Sequence, residues 1–239
     1  MTHQSTDQPF YAGAGELFAQ EEHLGNYCEE VARSIVAYTQ GSSRVLEFGA
    51  GIGTLAINHR RLTGVEPTCL EIDPRLAEVL KGRGLTCMPP EALTRDPFDA
   101  VYSSNVLEHI EDDLSALRSI RASLKPNGRL VLYLPARQEI YNELDRLVGH
   151  YRRYDIAELR AKLHSAGFEL LHWQYADSIG YFAWGLSRFR KVDPSRKLGS
   201  TAVLSLYDRL IFPISIALDR IGFKRVIGKN ILILAKPRA

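Results

Sequence analysis

Three groups of side chains in this 239-residue chain could carry chemistry. In RVLEFGAGIG, residues 44–53, Glu47 precedes Gly49, Gly51 and Gly53, with Ala50 among them. Bare backbone beside an acid lets a polar or cationic ligand approach more closely than side chains would permit. Glu71 ends the run TCLEI, where a carboxylate can accept both hydroxyls of a ribose. Glu108-His109 in NVLEHI and His150 in GHYRRY form the second group, offering imidazoles suited to taking a hydroxyl proton near neutral pH. Arg152 and Arg153, flanked by Tyr151 and Tyr154, form the third. Guanidinium forks match a carboxylate or phosphate, and tyrosine adds an apolar wall with a polar tip.

Each candidate also has a plainer role. His109 can begin a helix packed on a sheet, and His150 can be a loop residue bonded to backbone. The arginine pair can dock the following helix or neutralise Glu143 and Asp145. No second ligand pair accompanies Glu108-His109 along the chain, so no metal site is expected. Cys28, Cys69 and Cys87 lie far apart with no paired spacing, which argues against a zinc knuckle or disulfide framework and fits a reducing compartment.

These residues need elements to hold them. Leu24, Tyr27, Val31, Ile35 and Tyr38 recur at helical spacing across 21–40, and Gly41 stops the run. RVLEFG reads as a buried strand, TLAINHR as a helix and TCLEI as the next strand. Asp73-Pro74 opens a helix over RLAEVLKGRG, with proline at the first helical position. GLTCM and DAVYSSN are further strands. A helix over DDLSALRSIRASL stops before the strand RLVLYLP, and DIAELRAKLHSAG is a helix before FELLHW and the closing ILILAK. Strand interiors are continuously apolar, as in buried parallel strands. Their alternation with helices predicts a doubly wound α/β fold: a mostly parallel seven-stranded sheet with helices on both faces. We read residues 1–239 as a single domain. It has a helical lid at 1–43, a nucleotide-binding core at 44–136, and acceptor-side cap segments at 137–154 and 175–229, the latter before the last strand.

Three ligand fingerprints compete for the first strand-to-helix turn. A P-loop needs GxxxxGK[ST], which is absent. A dinucleotide turn needs GxGxxG, but Thr54 stands where its third glycine would be. The remaining fingerprint is S-adenosylmethionine (SAM), which brings an ammonium, a carboxylate and a sulfonium and no phosphate. Glu47 would lie near the ammonium, and Glu71 on the ribose.

VLEFGAGIG, CLEIDP, FDAVYSSNVLEHIEDD and LKPNGRLVLYLPA, in this order across 44–136, resemble the ordered motifs of class I SAM-dependent methyltransferases. LDRLVGHYRRYDIAELRAKLHSAGFEL further resembles a bacterial subgroup linked to polysaccharide or lipid glycosylation. The resemblance implies that Glu47, Gly49, Ala50, Gly51 and Gly53 line the methionine part, and Glu71 and Ile72 the ribose and adenine. It also puts Asn105 under the sulfonium, with Tyr27 covering it. Many relatives carry an aspartate after the third strand to meet the adenine. Here Met88-Pro89-Pro90-Glu91 stands there, so that contact passes to backbone or to Glu91.

Composition, at 45% hydrophobic and 24% charged, fits a soluble globular domain. The net charge of +2 hides an asymmetry: residues 1–145 hold 13 Lys/Arg against 21 Asp/Glu, and residues 146–239 hold 17 against 7. The second half therefore suits an anionic partner, or is a solvated basic surface. MTHQSTDQPF lacks a signal-peptide pattern, and LIFPISIAL, bounded by Arg209 and Asp219, is too short to span a bilayer, so a cytoplasmic location is expected. YFAWGLSRFRKVDPSRK interleaves aromatics with Arg188, Arg190, Lys191, Arg196 and Lys197. LYDRLIFPISIALDRIGF then keeps Leu206, Leu210, Ile214, Leu218 and Ile221 near helical spacing, and a helix packing that stripe on the domain is expected. The functional alternatives are a lid over a hydrophobic acceptor, or residues 181–221 resting on anionic lipid at the inner membrane surface.

Methyl transfer from SAM to a small-molecule or lipid- or glycan-linked acceptor, through oxygen and with a negative group on the acceptor, is the leading expectation. Catalysis would fall to His109 or His150, and acceptor binding to Arg152, Arg153 and Tyr154. An RNA methyltransferase is the second reading, since CLEIDP resembles rRNA adenine dimethylases. However, Asn105 is followed by Val106-Leu107-Glu108 rather than a base-stacking motif, and no nucleic-acid module accompanies it. A SAM-binding regulator without turnover is the third.

Overall fold

A computed structural model describes residues 14–94, 96–187 and 201–238. Seven strands, β1 (Val45–Phe48), β2 (Thr68–Leu70), β3 (Cys87–Met88), β4 (Phe98–Ser104), β5 (Leu124–Pro135), β6 (Phe168–Ala176) and β7 (Asn230–Pro237), form one sheet in the order β3-β2-β1-β4-β5-β7-β6. Strands β1 to β5 pair in parallel, and β7 runs antiparallel between β5 and β6, giving the expected sheet one antiparallel edge. The order reverses between β1 and β4, so the segments leaving these two strands flank one crevice at their carboxyl ends, where open α/β sheets bind ligands.

The two-residue period of each strand divides the core. Leu130, Leu132 and Leu134 of β5 face one apolar cluster, and Val131 and Tyr133 face the other. The first cluster is closed by Leu117 and Ile120 of α5 (Asp113–Ser123) and by Leu159 and Leu163 of α7 (Ile156–Ser165). The second is closed by Val31 and Ile35 of α2 (Gly25–Thr39), which follows the short α1 (Ala14–His23). Helices α3 (Thr54–Thr63) and α4 (Pro74–Gly82) link β1, β2 and β3. Pro74 opens α4, and the Asp73 carboxylate accepts from the Arg75 amide, so this helix start was legible in the sequence.

Two cap segments lie outside the alternation. One carries α6 (Glu143–Leu147), with Asn142 and Asp145 forming a reciprocal cap. The other carries α8 (Ser178–Ser187) and a continuous helix, Thr201–Arg220, made of α9 (Thr201–Leu206), a π turn (Tyr207–Ile211) and α10 (Phe212–Arg220). The five cations Arg188, Arg190, Lys191, Arg196 and Lys197 lie outside the described residues.

This helix corrects two expectations. The apolar run between Arg209 and Asp219 belongs to a helix of 20 residues with mean hydropathy 1.4, long and apolar enough by length and composition to cross a membrane. Nor does its apolar stripe pack on the domain. Leu206, Leu210, Ile214 and Ile221 are exposed, while Asp208, Phe212 and Ser215 are buried. Buried hydrogen bonds set that orientation. Asp208 accepts from the Asn26 and Tyr27 amides at 3.0 and 2.9 Å, capping α2 from a distance of 182 residues along the chain. Ser215 donates to Asp177 Oδ1, which also accepts from the Tyr207 hydroxyl and the Gly180 amide.

Candidate cofactor and catalytic site

The turn between β1 and α3 is built against the end of β2. The Gly49 and Ala50 amides both donate to the Leu70 carbonyl, at 2.9 and 3.0 Å, bending the backbone immediately after the strand. Gly49 has φ +76°, and a Cβ there would lie 2.5 Å from Val106 Cγ2. The contact shows how closely the segment after β4 covers the first glycine. Gly53 answers to packing instead. At φ +83° it begins α3, and a Cβ would run into Leu80 and Leu85.

Two acids flank this turn, Glu47 buried and Glu71 half-buried. Glu47 is enclosed, accepts from the Tyr102 hydroxyl at 3.0 Å, and is pushed up to about 8 by burial. Glu71 accepts from the Gly51 amide at 2.8 Å and the Asp73 amide at 2.9 Å, and burial raises it too, against the pull of those amides. Ile72 beside it is highly exposed at 79%, and Glu91 is exposed on the 3₁₀ turn Pro90–Ala92. A carboxyl held above its ordinary range is stabilised by an arriving cation. Residues 47–58 contain no lysine or arginine. A pyrophosphate here would face two acids with no counter-charge, whereas an ammonium and a ribose are both provided for. The residues fit SAM.

Asn105 closes β4 in the left-handed region at φ 51°, its amide bonded to the Tyr133 carbonyl. Tyr27, on the first turn of α2, packs edge-on against Tyr133 and Phe212, and Asn230 Nδ2 lies 3.4 Å from its hydroxyl. Lys229 Nζ lies 5.3 Å from the Tyr27 ring centroid and 3.2 Å from Asp177 Oδ2. Sequence spacing did not point to Tyr133, Lys229 or Asn230, because they come from β5 and the start of β7 and meet Tyr27 only through the sheet order.

The two histidines do meet. Their ring centroids are 4.6 Å apart, nearly perpendicular. His109 Nδ1 lies 3.1 Å from the Gly149 carbonyl, which can only accept, so this nitrogen carries the proton. Burial first, and His150 second, push His109 down to about 4, leaving it neutral at pH 7. His150 Nδ1 lies 2.9 Å from Asp145 Oδ1. Against burial, the His150 and Arg153 contacts hold Asp145 down at about 2. His150 Nε2 faces Glu108 at 3.8 Å, a fully buried carboxyl that has no hydrogen-bond partner among the described residues and that burial raises to about 7.

Ligating atoms of Glu108, His109 and His150 all lie within 4.8 Å of one another. Folding thus supplies the companion for Glu108-His109 that the sequence lacked. The same donor set can hold a divalent cation or pass a proton.

The arginines have internal partners. Arg152 donates to the Ile110 and Glu111 carbonyls, each at 2.8 Å, and pairs with Asp113 at 2.9 Å. Arg153 is buried and donates to Asp145 and to the Ala136 and Lys229 carbonyls, with Trp184 against its guanidinium. Tyr154 is fully buried, donating to Asp113 at 2.9 Å. Acceptor contact by Arg153 and Tyr154 is therefore corrected. Their donors are spent inside the protein, and the neutralising role toward Asp145 is the one realised.

With the Tyr151 amide bonded to the Glu108 carbonyl, GHYRRY is a splint along residues 108–111. Sequence spacing could not reveal it, because its two strips lie about 40 residues apart.

The chain is similar to known proteins in sequence and in fold. A family model for a methyltransferase domain matches residues 20–173. An uncharacterized methyltransferase of Schizosaccharomyces pombe is 26% identical over 141 residues, covering 52% of this chain and 51% of that protein. A ubiquinone biosynthesis O-methyltransferase of Xanthomonas axonopodis is 30% identical over 152 residues, covering 54% of this chain and 63% of that protein. The chain thus matches between about half and just under two thirds of the length of these curated relatives. A SAM-dependent methyltransferase structure from Archaeoglobus fulgidus shares the fold with TM-score 0.61 at 18% identity, covering 92% of this chain and 99% of that one. With most of its length matched by the domain model and its glycine turn flanked by Glu47 and Glu71, this chain belongs to the class I SAM-dependent methyltransferases and uses S-adenosyl-L-methionine as its cofactor.

Proposed function

We propose that the chain methylates a hydroxyl oxygen on a small-molecule or lipid- or glycan-linked acceptor, with the His109–His150 pair receiving the proton. The observation that carries this reading is the pair itself, with ring centroids 4.6 Å apart: His109 follows the Val106 segment that covers the glycine turn, and His150 reaches it from residues 149–154. Likeness to the Xanthomonas enzyme, an O-methyltransferase by name, supports oxygen as the atom methylated.

In this reading Glu47 and Glu71 hold the ammonium and ribose of SAM, Ile72 and Glu91 border the adenine, and Asn105 and Tyr27 enclose the reacting end. Bound SAM supplies an activated methyl group. The chain's residues align and deprotonate the acceptor. Gly149 fixes the His109 tautomer, which leaves Nε2 as the proton-accepting nitrogen. Asp145 orients His150 through its Nδ1 in the same way. General-base help of this kind contributes about 10²–10⁴-fold. A negative group on the acceptor is not part of the reading, because the Arg152 and Arg153 forks are already engaged.

The test is incubation with carbon-13-methyl SAM and a panel of phenols, polyprenyl phenols and lipid-linked sugars, with products read by NMR. Methoxy products are expected, and His109→Ala with His150→Ala should lower kcat about a hundredfold or more while leaving SAM affinity within twofold. N-methyl products would overturn the oxygen assignment. Tight SAM binding with no turnover on any acceptor would instead favour the regulator reading.

A further inference from the structure

The helix Thr201–Arg220 is built inside out. Its buried side is polar around Phe212: Asp208 holds two amides of α2, Ser215 bonds Asp177 and the Ile179 amide, and Asp219 accepts from the Asp177 amide at 2.8 Å. Its open side is aliphatic. Val203, Leu206, Leu210, Ile214 and Ile221 form one stripe, with Leu210 60%, Ile214 56% and Ile221 77% exposed. Phe182 and Leu186 of α8, which packs beside α10, are also exposed. The helix cannot roll to hide the stripe, because rolling would strip buried hydrogen bonds from Asp208, Ser215 and Asp177.

The exposed charges that this segment carries beside the stripe are cationic. Residues 201–226 contain four Lys/Arg and two Asp/Glu, and those two acids, Asp208 and Asp219, are the ones bonded to the domain. Arg209, Arg220 and Arg225 are exposed.

From this geometry we infer that the stripe is a docking face for an anionic membrane surface. The helix lies in the plane of the interface, aliphatic side chains enter the acyl boundary, and the flanking arginines meet lipid phosphates. A transmembrane path is inconsistent with the hydrogen bonds that tie the opposite face to α2 and β6. A second copy of the chain would bring two cationic rims together. A small acceptor needs a concavity, and the outer side of a helix is convex. The inference does not depend on which atom the enzyme methylates.

The test is flotation of the full chain with phosphatidylglycerol–phosphatidylcholine vesicles, against phosphatidylcholine alone, at low and high salt. Binding is expected on the anionic vesicles and should weaken with salt. Leu210→Asp with Ile214→Asp should reduce partitioning at least tenfold while leaving melting temperature and SAM affinity unchanged. Arg209→Glu with Arg225→Glu should weaken binding and flatten its salt dependence. Absence of flotation at low salt, or flotation indifferent to the aspartate pair, overturns the inference. So does a dimer in ultracentrifugation that the aspartate pair splits, since the face would then join two copies.

Discussion

Glu47 shows how much a single buried carboxyl can report. Burial lifts it to about 8, well above the roughly 4.3 of a free glutamate, so at neutral pH the folded chain holds a proton that the unfolded chain has released. Folding stability from this group is therefore undiminished at low pH and falls as pH rises from about 5 through 8. A bound ammonium favours the ionised form, so SAM binding at pH 7 should release a proton. That is measurable as a dependence of calorimetric enthalpy on the buffer's ionisation heat. Glu47→Gln should abolish the proton release and flatten the loss of stability toward pH 8. It should also weaken SAM about tenfold to a hundredfold, the equivalent of one charge-assisted hydrogen bond of about 1.5–3 kcal/mol. Proton release that persists in the variant would assign the linkage to another group.

Among the elements, the splint of residues 149–154 decides where the histidines sit. Its two arginines do different work, and their variants should separate. Arg153 and Asp145 are both buried, so Arg153→Ala strips the guanidinium from a buried carboxylate that keeps His150 and Trp184, and should cost about 3–5 kcal/mol, read as a drop in denaturation midpoint. Arg152 is partly exposed and holds the carbonyls of Ile110 and Glu111. Arg152→Ala should lower the melting temperature only slightly, leave SAM affinity unchanged and reduce kcat, because the segment carrying His109 loosens. Equal destabilisation by the two variants would contradict this division.

For the molecule as a whole, the insert helix is joined to the cofactor side through Asp208, which caps the turn of α2 that carries Tyr27. Asp208→Ala should cost about 0.5–2 kcal/mol, the range for a lost helix cap. Hydrogen exchange should accelerate in residues 25–28 and 201–220, with the central strands β1, β4 and β5 unaffected. Unchanged exchange in residues 25–28 would mean that the helix and the cofactor side are independent. If the helix also rests on lipid, this junction is the route by which membrane contact reaches Tyr27.

The sequence by itself determined the sheet, the helices and the cofactor turn. These depend on local signals: apolar runs that suit buried strands, Asp73-Pro74 at a helix start, and glycines with Glu47 and Glu71 at fixed offsets. What only the tertiary structure decided is the partnership of residues far apart along the chain. GHYRRY looks like an acceptor grip because exposed guanidiniums and buried ones are written with the same letters. Only the fold brings Asp113 and Asp145 to them. Glu108-His109 looks incomplete until His150 arrives from the splint. The insert's apolar spacing is helical either way, and periodicity fixes a stripe without saying which side is buried. That side was chosen by hydrogen bonds of Asp208 and Ser215 to groups from about 36 to 182 residues away, whose burial unpaired would cost more than exposing leucines does.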